Sequence, residues 1–435
     1  MIKVAKFGGS SLADASQFKK VASIVESDPM RKIVVVSASG KRNKEDNKIT
    51  DLLYLCYAHL KYSVSCESVW NIIEERYLSI KKDLGLSISI EEDLAKIKAQ
   101  LRKGMSEDYL VSRGEYLCAK LMANYLGYTF VDAADVILFD YSGKIDFDKS
   151  KVALEKVMEK SSTLVIPGFY GSLPDGEIKT LTRGGSDITG AILAKLTNAS
   201  LYENWTDVSG ILVADPSIVK NPKQIQYITY EELRELSYMG ANVLHEEAIF
   251  PVMEANIPIH IRNTNAPEDE GTIIIEEDTN GDSIVTGIAG KKDFSVITIY
   301  KKHLSDEVGI IRKALSVMEK YNVNVEHIPS GIDSFSIVVP SHEIKNCKYD
   351  IVSEIKDATN CNTIKVIDDI ALIATVGRHM VDRPGISGRL FAAIGKSDIN
   401  IRMIAQGSDE ITIIMGVENQ DFEKAIQTIY NEFVA

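Results

Sequence analysis

Short glycine-containing stretches in the first half of the chain combine residue types that bind anions. Residues 6–11 read KFGGSS and directly follow a short strand-like segment. Backbone N–H groups in glycine turns and at helix N-termini are unpaired and bind phosphate oxygens. A P-loop carries its lysine after the glycines, whereas here Lys6 precedes Gly8 and Gly9, so this stretch is not that motif. Taken alone, it fits a phosphate cradle or a plain tight turn.

Two further stretches carry an arginine beside glycine and acid. Residues 182–187 (TRGGSD) open a helical pattern, so Ser186 and Asp187 are candidate helix caps, and Arg183 offers a planar guanidinium for a carboxylate or phosphate. An ordinary cap with a surface arginine is the alternative. Residues 112–115 (SRGE), considered in isolation, fit an exposed helix start better than a site.

Acidic side chains mark two later positions. Residues 206–210 (TDVSG) are followed closely by an Ala-Asp-Pro sequence, and together they form a fourth candidate stretch. Residues 245–247 (HEE) look metal-like, but no second histidine stands four residues on. This last group is therefore interpreted as a solvated helix face, and no metal site is predicted.

The elements that position these stretches alternate between strand and helix patterns. Apolar runs at residues 32–39, 163–171 and 257–264 are typical of buried strands, and residues 107–128 and 187–198 have helical apolar spacing. Such alternation predicts an α/β fold with a mostly parallel central sheet sandwiched by helices. Ligands of such sheets gather at the loops that follow the strands, which is where several of the glycine stretches lie.

Composition and charge exclude several classes of protein. The chain has 435 residues, 45% of them hydrophobic, and a formal net charge of −13, which disfavours nucleic acids and anionic membranes as partners. Its five cysteines form no C-x-x-C pair, so neither a disulfide framework nor a zinc site is indicated. No apolar run approaches the roughly 20 residues of a membrane helix, and no signal peptide is recognisable. A cytoplasmic location is expected.

An internal repeat follows an acidic, turn-rich boundary at residues 265–282. Its copies begin at Glu307 and Arg383, and each reads strand, turn, helix, strand, turn, strand, helix. One period spans a whole small domain, so the repeat is a tandem duplication. Three pairs align at a constant offset of 76 residues: Asn324 with Asn400, Gly331 with Gly407, and Asp333 with Asp409.

The ends of the two copies predict that they are interleaved. The first copy ends with a strand-like segment at residues 362–369, whereas the second ends at Ala435 directly after its last helix. The otherwise unassigned strand-like residues 283–290 could supply the strand that the second copy lacks. The predicted domains are therefore residues 1–280, residues 295–369, and residues 283–294 joined with 370–435.

Together, in this order and with a duplicated C-terminal module, these stretches resemble the monofunctional aspartate kinases. The resemblance covers essentially the whole chain and includes residues 34–53, 240–252 and 257–274. It implies an amino-acid-kinase domain followed by two interleaved, ferredoxin-like ACT domains. It also implies transfer of the ATP γ-phosphoryl group to the side-chain carboxylate of L-aspartate, giving 4-phospho-L-aspartate, the first step of lysine, threonine and methionine biosynthesis.

The resemblance also assigns roles to individual residues. Lys6 and Asp187 are implied to be catalytic, Arg183 to grip the α-carboxylate of aspartate, and Glu115 to pair with its ammonium group. Mg²⁺ is implied by ATP chemistry, with no ligand assigned. The further expected contacts are ATP with Gly8, Gly9, Ser10, Thr206 and Asp207; aspartate with Ser39, Thr50 and Ser186; and an effector amino acid, lysine and/or threonine, with Gly309, Ile310, Ile311, Ser330 and Asp333.

The chain departs from the family pattern at Leu212, Ser217 and Asn242, all on the expected nucleotide side. Two other functions stay open: an amino-acid sensor without catalysis, and a kinase for glutamate, N-acetylglutamate or UMP. Glu115 favours aspartate, because it requires a free ammonium group. From the length, we expect no fused homoserine dehydrogenase. Side-by-side ACT domains imply a homodimer or a dimer of dimers.

Overall fold

The structure is a computed structural model that describes residues 1–182, 184–241, 244, 246–277, 283–381, 383–407 and 411–435. The chain divides into two compact units. The first contains Met1–Ile211, Gln224–Tyr230 and Asn242–Thr279, and the second contains Leu212–Lys223, Glu231–Ala241 and Asn280–Ala435. The second unit thus takes two segments from within the predicted domain 1–280. No helix among the described residues has both the length and the apolar character needed to cross a membrane.

The first unit is built on an eight-stranded, mostly parallel sheet, as the alternation of strands and helices predicts. Along the sheet the strand order is β3-β4-β2-β1-β7-β9-β10-β8, and β9 with β10 is the antiparallel pair. A separate two-stranded sheet joins β5 to β6. The strands are β1 (Lys3–Phe7), β2 (Arg31–Val36), β3 (Thr129–Phe130), β4 (Leu164–Pro167), β5 (Tyr170–Ser172), β6 (Ile178–Thr180), β7 (Leu201–Thr206), β8 (Tyr227–Thr229), β9 (Ile259–Asn263) and β10 (Thr272–Ile275).

Helices pack against this sheet because their apolar stripes need a partner. Side-chain caps fix several helix starts; for example, Asp14 accepts hydrogen bonds from the backbone N–H groups of Ser16 and Gln17. The helices up to residue 253 are α1 (Ala15–Glu26), α2 (Ile49–Lys61), α3 (Glu67–Leu84), α4 (Ile90–Gln100), α5 (Glu107–Leu126), α6 (Ala133–Val136), α7 (Phe147–Met158), α8 (Gly185–Leu196), α9 (Tyr230–Tyr238) and α10 (Glu246–Met253).

The second unit contains a five-stranded antiparallel sheet covered by helices. Its strand order is β12-β11-β13-β15-β14. The strands are β11 (Gly287–Tyr300), β12 (Ser334–Pro340), β13 (Thr363–Val376), β14 (Met403–Gln406) and β15 (Thr412–Glu418). The helices are α11 (Ile310–Lys320), α12 (Ser341–Ile344), α13 (Lys348–Thr359), α14 (Ile386–Lys396) and α15 (Phe422–Phe433).

The repeat is visible in the backbone of this unit. Helices α11 and α14 begin 76 residues apart, and each is preceded by a left-handed glycine, Gly309 with φ 79° and Gly385 with φ 92°. A second matched pair follows the same helices, since Asn322 and Asp398 have φ of 54° and 52°. Equivalent positions therefore make the same tight turns.

Two long strands, β11 and β13, pass through both copies of the repeat. The first part of β11, at residues 287–291, pairs with residues 372–376 of β13, and its later part pairs with residues 363–370. The register shifts between Lys291 and Val296, close to Asp293 and Asp369, which have φ of 69° and 59°. The strand predicted to complete the second copy thus lies beside that copy's first strand.

Candidate active site

A cavity of about 1120 Å³ opens at the carboxyl ends of β1, β2 and β7 and at the start of α8. Strand ends of a parallel sheet meet at one edge, so loops distant in sequence face one another there. Every residue that was expected to be catalytic or to contact ATP or aspartate, except Arg183, lines this cavity. The lining members of that set are Lys6, Gly8, Gly9, Ser10, Ser39, Thr50, Glu115, Ser186, Asp187, Thr206 and Asp207. Arg183 lies outside the described residues.

Lys6 is a buried cation near the centre of the sheet. It lies on β1, whose neighbours β2 and β7 cover it on both sides, and it is only 7% exposed. Its ammonium group forms an ion pair with the carboxylate of Asp187 at the start of α8. The polar end of an otherwise buried side chain is therefore held at the cavity wall.

The loops after β1 and β2 touch through glycines. The N–H group of Gly40 donates to the carbonyl of Gly9 at 2.8 Å, and a Cβ atom on Gly40 would lie 2.5 Å from the Gly9 carbonyl carbon. The N–H group of Gly8 donates to the carbonyl of Trp205 at 3.0 Å. Because the amide of Gly8 is already used inside the fold, the amides of Gly9 and Ser10, at the start of a short 3₁₀ helix, are the ones placed to meet an anion.

The residue that caps the start of α8 is neither Ser186 nor Asp187, which corrects the expectation from the sequence. The cap residue is Gly184, with φ 77°, which has no side chain that could accept a capping hydrogen bond. Glycine adopts this left-handed conformation without steric cost, because it has no Cβ atom. Ser186 and Asp187 lie instead in the first turn and line the cavity.

The SRGE stretch is not an exposed helix start, which corrects the interpretation of it in isolation. Residues 112–115 lie in the middle of α5 and are all buried. A Cβ atom on Gly114 would lie 2.8 Å from the Cβ of Ala38, so glycine permits close packing of α5 on the loop after β2. The Arg113 guanidinium stacks on three tyrosine rings, those of Tyr109, Tyr116 and Tyr170.

Glu115 presents a buried carboxylate to the cavity. The side chain is 4% exposed, and its Oε2 atom has no hydrogen-bond partner among the described residues. Burial raises the pKa of Glu115 to about 8, although a backbone hydrogen bond from Ala38 opposes the shift. A buried, incompletely partnered carboxylate at a cavity wall is suited to bind a cation.

Three lysines that the sequence analysis did not single out also line the cavity. Lys41, Lys44 and Lys48 belong to the loop between β2 and α2. Arg76 on α3 fixes this loop, because it donates to the carbonyl of Gly40 at 2.8 Å and to Asp46 at 2.6 Å. The basic run KRNKEDNK is the sequence feature from which these lysines could have been predicted as site residues.

The two stretches expected to bind an effector lie next to each other in the second unit. Gly309 precedes α11, which begins with Ile310. The N–H group of Ser305 donates to the carbonyl of Ile332 at 3.2 Å, which brings the loop before α11 beside residues 330–333. The carboxylate of Asp333 accepts a hydrogen bond from the N–H group of His303 at 3.0 Å.

The departures from the family pattern fall in different places. Leu212 and Ser217 belong to the second compact unit, where the N–H group of Ser217 donates to Asp215 at 2.8 Å. Asn242 and His245 lie outside the described residues. Among the described residues, no group of three or more His, Cys, Asp or Glu side chains could hold a metal ion.

Comparisons with known proteins agree with this architecture. A model of the amino acid kinase family matches residues 1–263, and a model of the ACT domain matches residues 373–433. The chain is 39% identical to Aspartokinase 3 of Bacillus subtilis (strain 168), with 100% of this chain and 99% of that protein covered.

Solved structures give similar results. Aspartate kinase of Clostridium acetobutylicum is 51% identical, with a TM-score of 0.94 over 99% of this chain and 100% of that chain. Aspartokinase III of E. coli is 25% identical over the full length of both chains. Its complex with aspartate and ADP gives a TM-score of 0.76, and its complex with lysine and aspartate gives 0.77.

Proposed function

The chain belongs to the amino acid kinase family and, within it, to the aspartate kinases; on that premise we propose that its cavity transfers the γ-phosphoryl group of ATP to the side-chain carboxylate of L-aspartate. The observation that carries this proposal is that the buried ammonium of Lys6 and the buried, incompletely partnered carboxyl group of Glu115 line one cavity. The product is 4-phospho-L-aspartate, which commits aspartate to lysine, threonine and methionine synthesis.

The phosphate end of the cavity neutralises charge. An aspartate side chain has a pKa of about 3.9, so the nucleophile is already ionised at neutral pH and no general base is required. A carboxylate oxygen forms a bond to the γ-phosphorus while the bond to the ADP oxygen breaks. Lys6 contacts the transferring phosphoryl group, and the amides of Gly9 and Ser10 hold its oxygens. These groups offset the repulsion between the aspartate carboxylate and the negatively charged phosphates of ATP.

The aspartate end selects the acceptor. Glu115 pairs with the ammonium group, and Arg183 grips the α-carboxylate. Ser39 and Thr50 provide hydroxyl groups on the loop after β2 and in the first turn of α2, and Ser186 provides one at the start of α8. An acetylated amine would leave the buried Glu115 without a cation, so N-acetylglutamate is disfavoured. This argument disfavours N-acetylglutamate and UMP, which lack a free ammonium group, but not glutamate, which has one.

The nucleotide end carries the carboxylate of Asp207 next to Thr206, where β7 ends. Mg²⁺ usually binds through one or two carboxylates together with substrate phosphates and water. Asp187 and Asp207 line the same cavity and are the residues that would hold the ion. When bound, Mg²⁺ supplies further neutralisation of the nucleotide phosphates.

The first test is formation of aspartyl phosphate, trapped as its hydroxamate, with ATP, Mg²⁺ and L-aspartate. Lys6→Met should lower kcat by about 10²–10³-fold, because it removes a charge aimed at the transition state. Lys3→Met is the matched control, since Lys3 lies on the same strand, pairs with Asp28 and does not line the cavity. Arg183→Ala should mainly raise the KM for aspartate. Wild-type protein that folds but forms no hydroxamate would refute the proposal.

For the ACT region we propose feedback inhibition by lysine and/or threonine at residues 309–311, Ser330 and Asp333. The structure of E. coli aspartokinase III in complex with lysine and aspartate supports lysine as one candidate. Asp333→Ala should weaken inhibition while the uninhibited rate stays within about twofold. Asp409, outside the described residues, is the equivalent position of the second copy, and Asp409→Ala is the control. Equal effects of the two variants would contradict this assignment.

We further propose that the protein assembles as a homodimer or a dimer of dimers. Two large apolar side chains on the loops beside α11 support this proposal, because Val308 is 96% exposed and Ile332 is 76% exposed. Neighbouring exposed apolar groups on loops are typical of an interaction surface. We also propose the domain bounds predicted from the sequence, namely residues 1–280, residues 295–369, and residues 283–294 joined with 370–435.

A further inference from the structure

A buried asparagine lies between the two residues assigned to catalysis. Asn204 is on β7 and is the register partner of Lys6 on β1, so the two side chains point to the same face of the parallel sheet. The Nδ2 atom of Asn204 donates to Oδ1 of Asp187 at 2.7 Å. The Nζ atom of Lys6 lies 3.5 Å from Oδ1 of Asn204. One amide therefore contacts both charged groups.

The chemistry of this position requires a side chain that both donates and accepts. A carboxylate such as Asp187 accepts hydrogen bonds, whereas the ammonium of Lys6 donates them. A carboxamide offers an NH₂ group to the first and an oxygen to the second. Asn204 is 4% exposed, so bulk water could not replace the hydrogen bonds that are lost when its amide group is removed.

A second contact from the same strand fixes the backbone of the same turn. The hydroxyl of Tyr202 donates to the main-chain carbonyl of Asp187 at 2.9 Å. Tyr202 and Asn204 are two residues apart on β7 and so share a face. The strand thus holds the first turn of α8 through the main chain and orients its carboxylate through Asn204.

We propose that Asn204 is a positioning residue for phosphoryl transfer, which keeps the Asp187 carboxylate and the Lys6 ammonium in place. This inference rests on the proposed function, in which Lys6 contacts the phosphoryl group. As Lys6 turns from Asp187 towards the incoming phosphate, the carboxylate loses part of its ion pair. The Nδ2 atom of Asn204 continues to hydrogen-bond that carboxylate, so the cost of releasing Lys6 is smaller.

A double-mutant cycle tests the proposal, with ADP production measured at varied aspartate and ATP. Asn204→Leu keeps the branching at Cγ, in a somewhat larger side chain, but has neither donor nor acceptor, and it should lower kcat at least tenfold while the KM for aspartate changes less than threefold. Asn204→Asp keeps the shape but replaces the donor with an oxygen, and it should also lower kcat. In a Lys6→Met background, Asn204→Leu should have little further effect, since residues that act as a unit are not additive.

Ser150→Ala is the stability control, because Ser150 is fully buried and its hydroxyl accepts from the N–H group of Leu138 at 2.9 Å, outside the cavity lining. Rates are normalised to folded protein by circular dichroism and melting temperature. If Asn204→Leu lowers the rate by the same factor with and without Lys6, or if it leaves kcat within twofold, the positioning role is wrong. A fully active Lys6→Met variant would instead refute the proposed function. The two outcomes therefore distinguish a failure of the proposed function from a failure of the positioning role of Asn204.

Discussion

Two buried ionisable side chains, one basic and one acidic, face the cavity, and the protein compensates them unequally. Lys6 has an ion pair with Asp187, whereas Glu115 keeps one carboxylate oxygen without a partner among the described residues. Burying an ionised group without a partner costs free energy, and this desolvation cost raises the pKa of Glu115. A ligand that brings an ammonium group relieves it.

The first prediction concerns the pH dependence of aspartate binding. Glu115 must be ionised to pair with ammonium, and its pKa in the ligand-free protein is about 8. Below that pH the carboxyl is protonated, and a proton must leave before the pair forms. Aspartate affinity should therefore rise with pH, by up to about tenfold per unit, and level off above about pH 8.

Calorimetric titration with aspartate between pH 6.5 and 9, in buffers of different ionisation enthalpy, measures both the affinity and the released proton. Glu115→Gln has the same shape and does not titrate, so it should bind weakly and lose this pH dependence. An affinity of the wild type that stays flat over the range would contradict the assignment of Glu115.

At the scale of elements, the site depends on a surface loop that a buried arginine holds. Arg76 is 3% exposed and reaches from α3 to Gly40 and Asp46 at the two ends of the basic loop. Asp46 also pairs with Arg42, which is exposed. The hydrogen bond from Arg42 and the charge of Arg76 hold the pKa of Asp46 well below its usual range. The loop that carries Lys41, Lys44 and Lys48 is thus anchored from inside the domain.

The second prediction compares these two arginines. Arg76→Met should destabilise the protein by about 1–3 kcal/mol, because it leaves buried acceptors unpaired. It should also raise the KM for aspartate several-fold, because Arg76 fixes Gly40 next to Ser39, which we assign to the aspartate end of the cavity. Arg42→Met removes an exposed pair with the same aspartate and should cost below about 1 kcal/mol. Urea unfolding and steady-state kinetics measure both effects, and equal losses for the two variants would speak against the anchor.

Particular elements show what the sequence could predict. The mostly parallel α/β fold followed from alternating apolar patterns, and the structure confirms it. The cap at Gly184 and the burial of residues 112–115 did not follow, because both depend on what packs against them. Asn204 was missed for the same reason: it is 198 residues from Lys6 in sequence, and only the order of strands brings the two together.

At the scale of the whole molecule, part of the sequence matched by the kinase family belongs to the second compact unit. The segment Glu231–Ala241 includes most of α9, which begins directly after β8 of the kinase sheet. Glu232 on this helix is fully buried and accepts from the hydroxyl of Thr286 at 2.7 Å. It also accepts from the N–H group and the guanidinium of Arg378, each at 2.8 Å.

The third prediction is that Glu232→Gln destabilises the second unit by about 3–5 kcal/mol, because breaking one side of a buried pair leaves the other uncompensated. Lys292→Met is the control: its pair with Glu423 is exposed and should contribute below about 1 kcal/mol. Thermal and urea unfolding measure the difference. A Glu232→Gln protein as stable as the control variant would show that the buried pair contributes little.

The fourth prediction tests the proposed assembly. Val308→Asp together with Ile332→Asp should shift the protein towards the monomer in light scattering coupled to gel filtration, because a charge in an apolar contact is strongly unfavourable. Tyr141→Asp is a matched control, since Tyr141 is 90% exposed in the first unit. A wild-type monomer, or a double variant with unchanged mass, would refute an interface at these loops.

The shared strands β11 and β13 have a consequence for how this chain can change over time. Each strand serves both copies of the repeat, so any single crossover between residues 287 and 376 gives a chimera in which at least one copy contains strands from two parents. The second copy is divided between residues 287–291 and the chain from residue 370 onward, so it cannot be replaced or duplicated as one continuous piece of gene, whereas the first copy is continuous. We therefore expect recombination to exchange the second copy only together with the first, with the second copy otherwise adapting by point substitution in its own helices and loops.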